Sequence, residues 1–233
     1  MAPRGVSAGD LRVLSTIGVR TVVEDLAPAF ERAWNCTVTR TYDTSVAMMR
    51  RFAEGESGDV TICTSGVIDE LIAQGKVVGR TDMTRSFIGV AVKHGAPKPD
   101  ISTTAAFKAS LIAAKSIVRS RTGASGLYFA GLIERIGLAE ALAGKILVRD
   151  GFVGTAVASG EAEIAVQQIS ELMQADGVDI VGPLPDELQS VTIFSAATFA
   201  NAKNAELAKA YVADLASPAH AALIRRNGME PCR

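Results

Sequence analysis

The chain has 233 residues, enough for one large α/β domain or two modest ones at the usual length of roughly 100–200 residues per domain. With 48% hydrophobic and 21% charged residues it carries the material for a sizeable core and lacks the signature of disorder. Twenty-four basic against 25 acidic side chains leave a net charge of −1, which argues against nucleic acid or an anionic membrane surface as partner.

In chain order, Leu11–Ser15 reads as a first strand. After the turn at Thr16–Gly18, apolar Val19, Val22, Val23, Leu26, Phe30 and Trp34 recur at helical spacing. Pro28 sits inside that stripe, where it removes a backbone bond and predicts a kink or a break. Thr37–Thr41 follows as a strand, then a helix carrying Val46, Met49 and Phe52, strand Asp59–Cys63, helix Val67–Gln74 and strand Phe87–Val92. The two prolines and one glycine of His94–Pro99 suit a connection, which places a first crossing between lobes near Val92–Pro99.

The alternation then repeats: helix Ala105–Ala114, strand Ser116–Ser120, helix Ser125–Ile136, strand Lys145–Val148, helix Phe152–Ala158, strand Glu163–Gln167, helix Ile169–Gln174 and strand Asp179–Val181. Gly182-Pro183-Leu184-Pro185 reads as a second connection, Val191–Phe199 as a returning strand, and Ala205–Ala216 and Pro218–Asn227 as closing helices.

Cys36, Cys63 and Cys232 match no zinc or CxxC spacing, and Cys63 lies in an apolar run where a small buried thiol is the simpler reading. The first ten residues lack the apolar stretch of about 7–15 residues that a signal peptide needs, and no run of about 18 apolar residues could span a bilayer. A cytoplasmic location is expected for the sequence as written, and a periplasmic one if an export signal was trimmed.

Open parallel sheets bind ligands beyond the carboxyl ends of their strands, and small hydroxyl residues stand at three such junctions: Ser15-Thr16, Thr44-Ser45 and Ser125-Gly126. Helix starts offer unpaired N–H groups and the positive end of a dipole to an anion, and glycine admits close approach. Helix capping is the better reading of any one of the three alone, and three in register favour a ligand. Gln167 and Gln168 form a fourth candidate at a strand end, with amides that could face a ligand or tie down a loop. Arg121, with Arg119 and Arg20 behind it, could clamp a carboxylate or simply be solvated; Glu24 is a helical partner for Arg20.

The opening Leu-Arg-Val-Leu-Ser-Thr with its helix, Tyr42–Ser45 with its helix, Glu54-Gly55-Glu56-Ser57-Gly58-Asp59-Val60, Ser125-Gly126 and the Ala158–Ile164 segment resemble the pattern of type II periplasmic solute-binding proteins, particularly the molybdate-binding branch. The resemblance covers roughly residues 11–230. It implies two lobes, residues 1–92 plus 190–233 and residues 93–189, each a mainly parallel sheet flanked by helices. Two crossing segments would join them, with a ligand cleft between that closes on its guest. It further implies donors from Ser15, Ser45, Ser125 and the backbone near Val153, and an ABC transporter permease as partner. The branch usually shows a tyrosine where this chain has Gln167-Gln168, which favours a small organic acid over a tetrahedral oxyanion.

His94 and His220 are isolated, and no nucleophile elbow, Walker loop or dinucleotide motif is present. The leading expectation is therefore a monomeric, non-catalytic binding protein for a small anionic or carboxylate ligand, without cofactor or metal. A cofactor-free enzyme such as an isomerase, or a metabolite sensor, on the same fold is the alternative.

Overall fold

In a computed structural model, residues 9–232 are described, so most of the amino-terminal stretch examined for an export signal lies outside them. The chain divides into two compact units, one ending at Arg85 and resuming at Ile193, the other spanning Ser86–Thr192. It passes between them inside two strands, β4 (Val77–Lys93) and β9 (Val191–Phe199). The first passage is thus at Arg85–Ser86, and Val92–Pro99 belongs wholly to the second unit. A strand carries the chain across because its ladder fixes the backbone, which a Pro/Gly loop would not.

In the first unit, β1 (Asp10–Thr16) lies between β2 (Thr37–Asp43) and β3 (Val60–Thr64), all parallel, and β9 runs antiparallel to β3 with Val60 opposite Thr198. Side chains alternate across this sheet. Leu11, Val13 and Ile62 face α1 (Arg20–Trp34), α8 (Ala205–Leu215) and α9 (Ala221–Arg226); Leu14, Cys63 and Ala197 face α2 (Ser45–Ala53) and α3 (Ser65–Ala73). Phe30 of α1 meets Tyr211 of α8 edge to face, ring centroids 4.8 Å apart.

Helix α1 is not broken at Pro28. Pro28 is exposed, so water can serve the carbonyl it frees, while Val22, Val23, Leu26, Ala27 and Phe30 hold the stripe in the core. Three other expectations need revision. β4 begins ten residues before Phe87, because Gly79, Arg80 and Asp82 disguise its polar first half. Gly182 and Pro183 end β8 (Val178–Pro183) rather than form a loop, and the last helix starts as a 3-10 turn at Pro218–His220. A short β10 (Met229–Pro231) pairs with β4.

In the second unit, β5 (Ile117–Ser120) lies between β6 (Ile146–Arg149) and β7 (Ile164–Gln168), again parallel, and the second half of β4 runs antiparallel to both β7 and β8. Ile88, Val90, Ile117, Ile164 and Val166 pack with α4 (Thr104–Ala113) and α5 (Ala124–Arg135). Ala91, Val118 and Ala165 pack on the other face with α6 (Gly154–Ala158) and α7 (Ile169–Leu172). Each unit is therefore a largely parallel sheet covered on both faces, as the alternation of elements predicts, with antiparallel strands where the chain crosses.

One carboxylate staples the first unit. Asp59 is 3% exposed, and its two oxygens accept the backbone N–H of Arg12 and of Lys203, each at 2.8 Å. Asp59→Ala strands these donors and is expected to lower unfolding stability by about 2–4 kcal/mol, read as a fall in the denaturant midpoint.

Candidate functional site

The parallel strands of each unit end on one edge, and the hydroxyl residues singled out from sequence stand there. In the first unit Ser15 is fully buried beside Tyr42 of β2 and Ile62 of β3, and its Oγ donates to the Thr16 carbonyl at 3.1 Å. Thr16 is buried and opens the 3-10 turn Ile17–Val19 without a side-chain cap bond. A Cβ on Gly18 would fall 2.4 Å from the Phe194 ring, so only glycine lets this turn lie against β9. Thr44 Oγ1 accepts the Ala47 N–H at 3.2 Å, so capping accounts for it. Ser45 Oγ accepts the Thr64 N–H at 3.2 Å and ties the start of α2 to the end of β3. No acidic residue sits in the first turn of α2, and the preceding Asp43 carboxylate accepts the Thr44 N–H at 2.8 Å.

Arg20 lies 5.4 Å over the Tyr42 ring, and Glu24 is engaged elsewhere: it accepts the Tyr42 hydroxyl at 2.7 Å and faces Arg40 at 3.4 Å.

In the second unit, Ser120 Oγ accepts the Gly123 N–H at 3.0 Å, and a Cβ on Gly126 would lie 2.0 Å from the Ser120 carbonyl oxygen. That contact seats α5 on the strand end and places Ser125, 1% exposed, with no hydrogen-bond partner for its hydroxyl. α5 also lacks an acidic residue in its first turn. Arg119, not the preferred Arg121, braces this loop by donating to the carbonyls of Ser120 at 3.0 Å and Gly126 at 3.4 Å. Arg121 is exposed and 3.3 Å from Asp150, which already balances its charge.

The two glutamines divide their work. Gln167 Oε1 accepts the Val153 N–H and its Nε2 donates to the Gly151 carbonyl, both at 2.9 Å. Gln167 therefore ties down a loop, and the Val153 N–H expected to face a ligand is already used. Gln168, 1% exposed, donates to Thr192 Oγ1 at 2.7 Å and leaves Oε1 without a partner. Ser86, absent from the sequence reading, forms a buried hydroxyl pair with Ser170 at 3.4 Å.

Glu171, also missed, is 4% exposed and leaves Oε2 without a partner, and burial pushes its carboxyl up to about 8. The hint in the sequence was an acid inside the otherwise apolar, polar-uncharged run from Ile164 to Met173. Cys63, fully buried, is pushed up to about 12 and cannot serve as a thiolate nucleophile near neutrality. His94 faces Asp179 at 2.9 Å and His220 faces Asp214 at 3.3 Å. Among the described residues no three His, Cys, Asp or Glu side chains form a group that could hold a metal.

The Glu171 shift fixes a pH dependence. Between the ordinary carboxyl value of 4.5 and about 8 the folded chain keeps a proton that the unfolded chain releases, so the contribution is full below 4.5 and is lost as pH rises toward 8. Stability should fall across that window with a slope of up to about 1.4 kcal/mol per pH unit from this group, and Glu171→Gln should flatten the curve in denaturation series run at each pH.

A family described as bacterial extracellular solute-binding protein matches residues 11–230. A Pseudomonas protein named aconitate isomerase is 37% identical over 230 residues, covering 95% of this chain and 87% of its own. Among solved structures, the periplasmic molybdate-binding protein of Azotobacter vinelandii superposes with a TM-score of 0.76 at 17% identity, covering 94% of this chain and 98% of that one. The sulfate-binding protein SubI of Mycobacterium tuberculosis gives 0.76 at 16% identity, covering 96% and 87%. The type II periplasmic binding fold read from the short motifs is thereby established. The expectation of a non-catalytic protein is overturned by the relative that bears an enzyme's name over nearly the whole chain. The lack of a metal motif, a dinucleotide loop and a nucleophile elbow does not exclude an enzyme.

Proposed function

The chain belongs to the bacterial extracellular solute-binding protein family, and from that premise we propose that it is a cofactor-free isomerase of a small unsaturated polycarboxylic acid, with aconitate as substrate. The carrying observation is the 37% identity over 95% of the chain to a protein named aconitate isomerase.

Aconitate has a three-carbon allylic frame with a carboxylate on each carbon. Removing a proton from its methylene carbon leaves an allylic carbanion whose two ends carry the same substituents. Returning a proton at the other end moves the double bond, and the geometry held at that end decides whether the cis or the trans isomer results. No electron leaves the molecule and no group is transferred, so the protein has only to bind three carboxylates, hold the frame and manage one proton. As charge moves from carbon onto the terminal carboxylates, preorganised donors aimed at those oxygens lower the barrier.

The residues suit that task. The hydroxyl of Ser45 with the start of α2 forms one donor set in the first unit, and Ser125 with the start of α5 forms another in the second. In this proposal binding is the step inherited from the solute-binding family. Unpartnered Ser125 Oγ and Gln168 Oε1 are polar atoms that a bound acid and its proton would satisfy.

Incubating the purified chain with trans-aconitate, chelator and no added cofactor, with isomer composition followed by proton NMR, should yield the cis isomer; unchanged substrate from either direction rejects the reading. Ser125→Ala should leave stability within about 0.5 kcal/mol, since its hydroxyl bonds to nothing in the protein. It should cost about 1–3 kcal/mol of substrate recognition, roughly a 5- to 150-fold fall in kcat/KM.

A further inference from the structure

A substrate with three carboxylates calls for a cation, and the hydroxyls of Ser45 and Ser125 supply none. Of the three arginines near strand ends, two are committed: Arg121 faces Asp150 at 3.3 Å, and Arg119 donates to the carbonyls of Ser120 and Gly126. Arg20 is exposed, and the acids that could neutralise it are turned to other partners. Glu24, one helical turn on, accepts the Tyr42 hydroxyl at 2.7 Å and faces Arg40 at 3.4 Å. Asp43 accepts the Thr44 N–H at 2.8 Å, with its other oxygen 3.8 Å from Arg51.

The position is unfavourable for the helix itself. Arg20 is the first residue of α1, at the positive end of the dipole, with no acidic residue in that turn to offset it. The Tyr42 ring holds the side chain there, its centroid 5.4 Å from the guanidinium carbon. That ring is fixed in turn, by the Glu24 bond at its hydroxyl and by strand register, since Tyr42 stands directly opposite Ser15 on the parallel β1–β2 pair. β1 ends one residue after Ser15 and β2 one residue after Tyr42. The guanidinium therefore lies at the carboxyl ends of these strands, the edge of the first unit on which α2 begins at Ser45.

We propose that Arg20 is a specificity-determining residue, a forked cation that Tyr42 holds ready for one carboxylate of the substrate; the identity of that substrate rests on the isomerase reading. A guanidinium offers two parallel N–H donors to the two oxygens of a carboxylate, which an ammonium cannot do. With the ring against one face of the guanidinium, its in-plane N–H edge stays open to the ligand. A bound carboxylate also offsets the positive charge that α1 otherwise carries uncompensated at its start.

The test compares Arg20→Ala, Arg20→Lys, Tyr42→Phe and Tyr42→Leu with the unaltered chain, by steady-state kinetics on aconitate and by calorimetric titration with propane-1,2,3-tricarboxylate, a saturated analogue whose binding needs no turnover. Arg20→Ala should weaken the analogue and raise KM by about tenfold or more with kcat within about threefold, because the clamp holds ground state and transition state alike. Its melting temperature should not fall by more than about 2 °C, since the side chain is exposed and α1 sheds an unfavourable charge. Arg20→Lys, which keeps the charge and loses the fork, should bind about fivefold or more weakly. Tyr42→Phe keeps the ring and should bind like the unaltered chain, whereas Tyr42→Leu should bind about threefold or more weakly. The proposal is overturned if Arg20→Ala or Arg20→Lys binds the analogue like the unaltered chain, if Tyr42→Leu binds as tightly as Tyr42→Phe, or if the unaltered chain binds no tricarboxylate. Should the unaltered chain bind the analogue, lose that affinity in Arg20→Ala and yet leave aconitate unchanged, the isomerase reading fails and the clamp stands.

Discussion

A strand covered by helices on both faces cannot leave its end polar groups to water, so every hydroxyl, amide and N–H at a strand terminus must find a partner in the protein or in a guest. Both units are built under this constraint, with apolar clusters on each side of each sheet and polar side chains collected at the edge where parallel strands give way to helices. Most of those groups are paired internally: Thr44 caps α2, Ser45 ties α2 to β3, Ser120 closes the turn into α5, and Gln167 secures the Gly151–Val153 turn. A few are left over, Ser125 Oγ and Gln168 Oε1 among them.

The same arrangement suits an enzyme that does little covalent work. A fold that binds small oxyanions already supplies oriented donors at helix starts, and an allylic proton shift asks mainly for those donors and for exclusion of water. Binding protein and isomerase can therefore share an architecture and differ in a few side chains. The fold likeness to molybdate- and sulfate-binding proteins and the closer sequence likeness to a protein named aconitate isomerase sit together without conflict.

Much of this was legible in the order of residues. The 3.6 and 2.0 periodicities gave nearly all helices and strands, because apolar spacing is a local property that packing only has to accept. The short motifs at Ser15, Ser45 and Ser125 stand where parallel strands give way to helices. Reading failed where a polar surface hid a strand, as in the first half of β4, and where Pro28 argued for a break that the core stripe of α1 overrode. It failed again on chemistry, since the absence of the common catalytic motifs does not exclude an enzyme.

The sequence by itself determined the layered α/β architecture and the rim residues, through local spacing, helix-start chemistry and glycine placement. Only the tertiary structure decided which of those residues are already occupied, because hydrogen bonds such as Gln167 to Val153 and Ser45 to Thr64 join segments whose approach is fixed by packing and not by adjacency. It also decided that Glu171 is buried without a cation, a fact of surroundings that no window of neighbouring residues contains.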